Sequence, residues 1–332
     1  MNRPPTIRDV AATAGVSPAT VSRVMNGSAS VDVALAQRVQ TAAADLGYVG
    51  NMVARHLATG RTQTIGLLVP DLGNPTFQAA LRGLSHAAAR ADYRVVVADS
   101  EENVDEEAIL AAELRRRCDA LVLCAPRMPV EDLERLVPTL DPVVLVNRRG
   151  VGGAPSLRVD YAAGVRALVG HLTSLGHRRL AFLAGPPLSV SNRVRAQELR
   201  RLVAVDGLEL TEIPCGAMFE DGHAAGPAAL ASGATGIVCY NDLVAMGLLG
   251  ALTETGVAVP DAVSVVGFDD IPFARYASPP LTTMSVPQAE LGAAAWERVA
   301  ALLAGREAGH DVAFLPRLEA RGSTGAAPAA AG

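Results

Sequence analysis

Two patterns of apolar positions divide the chain. In the first fifty residues, apolar side chains recur every three or four positions, the period of a helix buried on one side. From Thr64 onward, short continuous apolar runs such as IGLLV and LVLCA alternate with longer helical patterns. Such alternation predicts buried parallel strands separated by helices. We therefore expect a small helical head followed by a doubly wound α/β body.

Two short helices are predicted at the start of the head. Thr6 begins TIRD, in which the acid three residues later can reach back to the helix start, and this helix should stop at Gly15. Ser17 is a good N-cap and Pro18 a good first-turn residue, so a second helix should run to about Met25. The two helices should meet at a tight turn.

A third helix is predicted from the Asp32 cap to Leu46, closed by Gly47. Three short helices with a tight turn between the first two are typical of a helix-turn-helix module, whose second helix lies in the major groove of DNA. A small helical cap without a ligand is the alternative.

The side chains of the second helix favour DNA. Short polar groups along it suit phosphate oxygens, and Arg23 can reach a guanine edge with its planar fork. Pro18 and Ala19 offer only apolar contacts, for instance with thymine methyls. The short polar side chains that suit phosphate oxygens are those of Ser17, Thr20, Ser22 and Asn26.

Charge is distributed unevenly along the chain, whose formal net charge is −5. Residues 1–61 carry six arginines and three aspartates, a net of +3, which leaves −8 for the remainder. This asymmetry is typical of an anion-facing head on an acidic body.

Composition excludes several functions. All 29 basic residues are arginine, so no Walker A loop, Schiff-base lysine or SxxK nucleophile is possible. HExxH and GxSxG are also absent, which leaves a sugar-processing enzyme as a weak alternative. The four cysteines form no CxxC pair, so we expect core thiols, no metal and no cofactor. Apolar runs too short to cross a bilayer and an N-terminus without an apolar leader predict a cytoplasmic protein that does not bind membranes.

Polar residues follow the predicted strands of the body. Seven strands are predicted, in TIGLLVP, YRVVVAD, DALVLCA, PVVLVNR, RLAFLAG, GIVCY and VSVVGF. Ligands bind beyond the carboxyl ends of strands in such sheets, so these loops form a candidate site. Each residue alone is more often a helix cap or part of a surface ion pair. The residues after the strands are Asp71, Asn74, Asn147, Arg148, Asn241, Asp242, Asp269 and Asp270, with Arg195 on the helix after GPPLSVSN.

The head and linker resemble the LacI/GalR family of bacterial transcription regulators. The resemblance lies in TIRDVAATAGVSPATVSRVMNG and LGYVGNMVARHLATGRTQTIGLLVPD. It continues through LGHRRLAFLAGP, YNDLVAMGLLGAL, VPDAVSVVGFDDIPFARYASPPLTT and LEARGST, nearly the whole body.

The resemblance implies a hinge helix in the linker that forms on DNA. In the family, the two hinge helices of a dimer push a leucine each into the minor groove, and here Leu57 matches that leucine. Gly50 stands where the family usually has proline, which should loosen the helix start. The residues assigned to DNA contact are Thr6, Ser17, Pro18, Ala19, Thr20, Ser22, Arg23, Asn26, Asn51, Ala54, Arg55 and Leu57.

For the body, the resemblance implies two subdomains like those of a periplasmic sugar-binding protein, with an effector in the cleft between them. Arg195, Asn241 and Asp269 match effector-contacting positions, and their chemistry fits a polyol. Ala217 stands where the family commonly has an aromatic residue, so the site is expected to be wider, to be reshaped by Phe77 or Phe219, or to select something other than a simple pyranose. The residues assigned to the effector are Asp71, Asn74, Phe77, Asn147, Arg148, Arg195, Asn241 and Asp269.

The predicted organisation has four parts. These are a helix-turn-helix domain over 1–49, a hinge over 50–61, a core over 62–322 and a disordered tail over 323–332. Within the core, one subdomain should comprise about 62–157 and 287–316, and the other about 158–286 and 317–322.

The expected function is a regulator, usually a repressor, that binds an inverted-repeat operator as a homodimer and is released by a sugar or sugar derivative. A corepressor-type regulator that responds to a nucleobase-like ligand is one alternative. A sugar-binding protein without a DNA function is a second.

Overall fold

The computed structural model of this protein describes the head and the body as two compact units. Unit one comprises Met1–Thr62 and unit two Gln63–Gly332, so the boundary lies one residue after the predicted one. The described residues are 3, 5–25, 31–48 and 60–329.

The head contains the three predicted helices. Each begins at a capping side chain: the Thr6 amide donates to Asp9 Oδ2 at 2.7 Å, and Asp32 accepts from the amides of Ala34 and Leu35. Gly15 ends the first helix in the left-handed conformation, at a φ of 65°. The helices are α1 (Ile7–Ala14), α2 (Pro18–Met25) and α3 (Val33–Asp45).

Apolar residues of all three helices form the core of the head. Val10, Val21 and Val39, one from each helix, are fully buried. Arg38 Nη2 also donates to the carbonyl oxygen of Ala14 at 2.6 Å, which ties α3 to the end of α1. The predicted helix-turn-helix arrangement is confirmed.

The body begins with a six-stranded parallel sheet of order β11-β5-β4-β3-β1-β2. Helices cover both faces, and the central strands are buried throughout, as expected of a doubly wound sheet. We call this sheet and its helices the first subdomain. Its strands are β1 (Thr64–Val69), β2 (Arg94–Asp99), β3 (Ala120–Cys124), β4 (Val143–Val146), β5 (Ser156–Val159) and β11 (Val312–Phe314).

A second parallel sheet, of order β7-β6-β8-β9, forms the second subdomain. Two further strands, β10 and β12, pair antiparallel with each other. The strands are β6 (Arg179–Ala184), β7 (Glu209–Pro214), β8 (Gly236–Cys239), β9 (Ser264–Val266), β10 (Thr283–Ser285) and β12 (Arg317–Glu319).

Helices connect the strands in both subdomains. Those of the first are α4 (Pro75–Ala89), α5 (Val104–Arg117), α6 (Val130–Leu136) and α12 (Gln288–Leu303). Those of the second are α7 (Tyr161–Ser174), α8 (Val190–Asp206), α9 (Phe219–Ala224), α10 (Gly226–Ala231) and α11 (Asp242–Glu254).

The chain passes between the subdomains three times. It leaves the first sheet after β5, returns between β10 and α12, and leaves again between β11 and β12. We predicted the first passage at 157/158, but β5 continues to Val159 and pairs with β4 and β11, so the passage follows Val159. The α/β architecture with two parallel-sheet subdomains is as expected.

The seven predicted strands are present, and five more accompany them. The missed strands are β5, β7, β10, β11 and β12, which are short or largely polar.

The predicted disordered tail differs from the structure at its start. The side chain of Ser323 is buried, the amide of Gly325 donates to Ser264 Oγ at 3.0 Å, and the amide of Ala327 donates to the carbonyl of Leu175 at 2.8 Å. These bonds hold residues 323–327 against the second subdomain, which the low-complexity composition did not reveal.

Candidate functional sites

The first candidate site is the outer face of α2. Pro18, Ala19 and Arg23 are exposed there, and Val21 and Val24 on the opposite face are buried in the head core. Ser17 caps the helix, because its Oγ accepts from the amide of Thr20. The helix therefore presents Arg23 and two apolar side chains outward, as readout of a groove requires.

Three of the predicted DNA contacts are engaged within the head. The Thr6 hydroxyl donates to Asp9 at 2.7 Å, and the Ser17 and Thr20 hydroxyls lie 2.9 Å apart. A hydroxyl with one bond made can still accept or donate another, so these residues stay predicted contacts. Asn26 and the hinge residues Asn51, Ala54, Arg55 and Leu57 lie outside the described residues.

The second candidate site surrounds Arg195 of α8, where the subdomains meet. Its guanidinium is buried among three aromatic rings, with the Cζ atom 3.8 Å from the ring centre of Phe268, 4.7 Å from Tyr161 and 4.9 Å from Tyr240. It also donates to the carbonyl oxygen of Tyr240. Cation–π contacts and this bond hold one orientation of the guanidinium.

Asp269 is the charged partner of Arg195, with 3.9 Å between Asp269 Oδ1 and Arg195 Nη2. It follows β9 with a φ of 116°, an unusual backbone for a residue other than glycine. Burial raises the pKa of Asp269 to about 6, while Arg195 and Thr76 act in the opposite direction. Because Thr76 belongs to α4, groups of both subdomains surround this carboxylate.

A second buried carboxylate lies behind the first. Asp242 accepts from the amide of Ile271 at 2.8 Å and from the hydroxyl of Thr283 at 2.5 Å. Burial, followed by the nearby charge of Asp269, raises the pKa of Asp242 to about 7. Asp242 thus holds the loop after β9, which positions Asp269.

Asn241 lies beside this pair and makes two hydrogen bonds within the protein. Its Oδ1 accepts from the amide of Val244 at 2.9 Å as the N-cap of α11, and its Nδ2 donates to the carbonyl oxygen of Ala217 at 2.8 Å. One N–H of the amide and one lone pair of its oxygen are not used by these two bonds, so a ligand could bond to Asn241 while both are kept.

Three predicted residues follow β1 in the first subdomain. Asp71 Oδ1 accepts from the amide of Gly73 at 2.6 Å, and burial raises the pKa of Asp71. Asn74 caps α4 by accepting from the amide of Thr76 at 3.0 Å, whereas Phe77 is buried in the apolar core. Phe77 therefore packs the base of the site.

Asn147 and Arg148 follow β4 and line a cavity of about 320 Å³ between the subdomains. Asn147 Oδ1 accepts from the amide of Val159 at 3.2 Å. Arg148 is buried and donates to the carbonyls of Pro126 and Met128 at 3.2 and 2.8 Å. The structure thus groups Arg195 with Asp269 and, separately, Asn147 with Arg148.

Six residues of the cleft were missed from the sequence, namely Thr76, Tyr161, Ser189, Ser191, Tyr240 and Phe268. Tyr161 and Tyr240 contact Arg195, and the hydroxyl of Tyr240 lies 3.0 Å from Ser189 Oγ and 3.2 Å from Ser191 Oγ. Tyr240 could have been found, because it immediately precedes Asn241 at a strand end. Tyr161 begins α7 directly after the unpredicted strand β5, so the pattern gave no signal for it.

Within the described part of the chain, no helix is both long and apolar enough to cross a membrane. The chain has a helix-turn-helix unit followed by two parallel-sheet subdomains that meet at a polar cleft. This architecture defines the class of protein: a DNA-binding regulator with a body like that of a periplasmic binding protein.

Comparison with known proteins supports this class along the whole chain. Residues 6–51 match the model of bacterial regulatory proteins of the lacI family, and residues 169–324 match that of the periplasmic binding protein-like domain. The HTH-type transcriptional regulator MalR of Streptomyces coelicolor is 34% identical over 340 residues, which cover 97% of each chain.

Two solved structures share the fold. A lac repressor dimer bound to operator and the anti-inducer ONPF has a TM-score of 0.88 at 28% identity, over 98% of this chain and 100% of that one. A complex of the transcriptional regulator CelR with cellobiose has a TM-score of 0.71 at 27% identity, over 96% and 99% of the two chains. The chain belongs to the LacI family, whose members are DNA-binding transcriptional regulators and not enzymes.

Proposed function

We propose that this regulator is a repressor that binds an inverted-repeat operator as a homodimer and is released by a sugar or sugar derivative in the cleft between its subdomains. The observation that carries the proposal is the buried pair of Arg195 and Asp269, 3.9 Å apart and faced by Thr76 of the other subdomain. Both residues of the pair belong to the second subdomain, so a ligand that bonds to the pair and to Thr76 would contact both subdomains at once.

The polar groups of the cleft suit a polyol. Arg195 donates, Asp269 accepts, and the hydroxyls of Ser189, Ser191 and Tyr240 do either. Arg195 Nε is buried without a hydrogen-bond partner among the described atoms, so one donor is free for a ligand. The cellobiose bound by the similar CelR supports a carbohydrate.

Release requires that the effector bind one arrangement of the subdomains better than the other. To move the population from 1:99 to 99:1, this difference must be about 5.5 kcal/mol. The proposed link to DNA is the hinge, in which Leu57 enters the minor groove beside Asn51, Ala54 and Arg55. A regulator that binds operator DNA works in the cytoplasm, so the proposed function implies that location.

The DNA part of the proposal is tested by electrophoretic mobility shift with the chain's own upstream region. Deletion of residues 1–61 and Leu57→Lys should each abolish the shifted band, because both remove groove contacts. Leu315→Lys, at a leucine of the body that is 70% exposed, is the matched control and should bind as wild type does. Unchanged binding by the Leu57 variant and the deletion would refute operator recognition by the head.

The same assay decides the direction of the ligand effect. Sugars and nucleobases that raise the thermal midpoint of the protein are titrated into the operator complex. Loss of the shifted band supports release, whereas a stronger band would replace release by corepression.

A further inference from the structure

The cavity beside Asn147 carries an excess of positive charge. Its lining includes Arg148, Arg149 and Arg158 and one carboxylate, that of Asp160, while Val190 and Val194 of α8 close it from the second subdomain. Three arginines against one aspartate leave a net charge of +2 at an opening shared by both subdomains.

The protein itself does not neutralise these arginines. Among the described residues, none of the three forms a salt bridge. The Asp160 carboxylate accepts from the amide of Ala163 at 2.8 Å, as the N-cap of α7. Arg148 bonds only to neutral carbonyl oxygens, and the side chains of Arg149 and Arg158 are exposed.

Charge from the second subdomain adds to this excess. Burial lowers the pKa of Arg148, and the guanidinium of Arg193 lowers it further. Arg127 also lowers this pKa, whereas Glu107 and Glu131 raise it. Arg193 belongs to α8, and its own donors point to the carbonyls of Leu188 and Pro187 at 3.2 and 3.5 Å. Arg148 of the first subdomain and Arg193 of the second are therefore like charges close enough to repel each other.

We propose that the effector of this regulator carries an anionic group, a carboxylate or a phosphate, that binds Arg148, Arg149 and Arg158 in this cavity. The inference rests on the proposed function and specifies the class of its ligand. Guanidinium groups match the planar oxygens of both anions and bind them with charge-assisted hydrogen bonds. Such an anion would also offset the repulsion between Arg148 and Arg193, so its binding holds the subdomains together.

Simple anions test the site without knowledge of the effector. The thermal midpoint of the full chain is measured in inorganic phosphate, in acetate and in chloride at equal ionic strength. Phosphate or acetate should raise the midpoint above that in chloride, and the more effective of the two tells whether the site prefers a phosphate or a carboxylate. If neither exceeds chloride, the proposal is wrong.

Matched variants locate the binding. Arg149→Ala/Arg158→Ala should lower the affinity for the effective anion about tenfold in calorimetric titration, the factor that corresponds to 1.4 kcal/mol. Arg116→Ala/Arg306→Ala removes two exposed arginines elsewhere in the body and should leave the affinity unchanged. Since all these proteins share the same head, equal affinity in both double variants would place the anion outside the cavity and overturn the proposal.

Operator binding separates the two hypotheses. The Arg149/Arg158 variant should bind operator as wild type does when no ligand is present. If a neutral sugar releases both proteins equally and anions bind no better than chloride, the anion proposal fails while the repressor function stands. If wild-type protein never binds operator, the proposed function fails first.

Discussion

Arg195 shows how one side chain is held ready for a ligand. Three rings surround its guanidinium, one donor bonds to the Tyr240 carbonyl and another faces Asp269. Holding a long side chain in one orientation removes the entropy cost that binding would otherwise incur. The rings therefore favour binding of the proposed ligand by holding the guanidinium in place.

The position of Tyr240 depends on a glycine. A Cβ atom on Gly185 would lie 2.4 Å from the Tyr240 ring, so only glycine leaves room for the ring. Gly185→Ala should displace Tyr240 and lower the free energy of unfolding by about 1–3 kcal/mol, as overpacking does. Urea denaturation measures the loss, and calorimetric titration should show weaker effector binding.

Gly170→Ala is the control for this substitution. Gly170 lies within α7, and a Cβ there meets no atom within 4 Å. Alanine at this helical position should stabilise by about 0.5–1 kcal/mol. Equal stability of the two variants would show that the Tyr240 ring tolerates a Cβ at residue 185.

The buried carboxylates make stability depend on pH. The pKa of Asp269 is raised to about 6, so the folded protein binds its proton more tightly than the unfolded chain does. The resulting stabilisation is complete below pH 4 and is lost as the pH rises through about 6. Asp242, with a pKa of about 7, acts in the same direction.

Asp269→Asn should reveal this contribution. Asparagine stays neutral, so the thermal midpoint of the variant relative to wild type should rise between pH 4 and pH 7. Thermal denaturation across this range measures the trend, with the exposed Asp261→Asn as the control. A difference from wild type that is constant with pH would contradict the raised pKa of Asp269.

At the scale of elements, the head helices are defined by their caps. Asp32 accepts from two amides at the start of α3, at 3.0 and 3.1 Å, and so pairs two donors that the helix leaves open. α3 in turn covers α1 and α2 through Val39 and the bond from Arg38 to Ala14. The face of α2 that is proposed to read DNA thus depends on α3.

Asp32→Ala should destabilise the head by about 1 kcal/mol, because it removes the cap of α3. Hydrogen exchange of peptides from Val33–Asp45 is then measured in the full chain. Amides that exchange only when α3 unfolds should exchange about fivefold faster than in wild type. Asp32→Ser keeps a capping oxygen and should exchange as wild type does. Equal exchange in all three proteins would mean that the cap does not hold the helix.

Elements with a local signal were predictable, and those that depend on distant partners were not. Caps at Thr6, Ser17 and Asp32 marked the head helices, and apolar runs marked the central strands. The edge strand β7 has the sequence ELTEIP, in which polar and apolar residues alternate because one side of the strand faces solvent. It therefore contains no apolar run by which it could have been predicted.

The same limit applies to the cleft. The polar residues at strand ends pointed to Asp269, since parallel strands end at one edge of a sheet, and the family resemblance pointed to Arg195 on the helix after GPPLSVSN. Tyr161 and Ser189 come from helix starts whose neighbours are decided by the three passages of the chain between subdomains. The hydrogen bonds of residues 323–327 could not be predicted either, because their partners are distant in sequence, as Leu175 is from Ala327.

At the scale of the molecule, the chain combines a head of net charge +3 with a body of net charge −8. An acidic body disfavours nonspecific contact with DNA, which agrees with the proposed binding by the head and hinge. In the proposed mechanism, one subdomain rotates on the other about the three passages of the chain while the sheets stay intact. A ligand that bonds to Arg195 and Asp269 of the second subdomain and to Thr76 of the first lies where this rotation would change the distance between its binding partners.

The most direct test of this account measures operator affinity by fluorescence anisotropy with and without the sugar that most stabilises the protein. Wild type should lose at least about tenfold in affinity when the sugar is present, a coupling of 1.4 kcal/mol. Arg195→Ala should bind operator within about twofold of wild type without the sugar, because the head is intact, and should lose no affinity when it is added. Equal release of Arg195→Ala and wild-type protein by the sugar would contradict an effector site in this cleft.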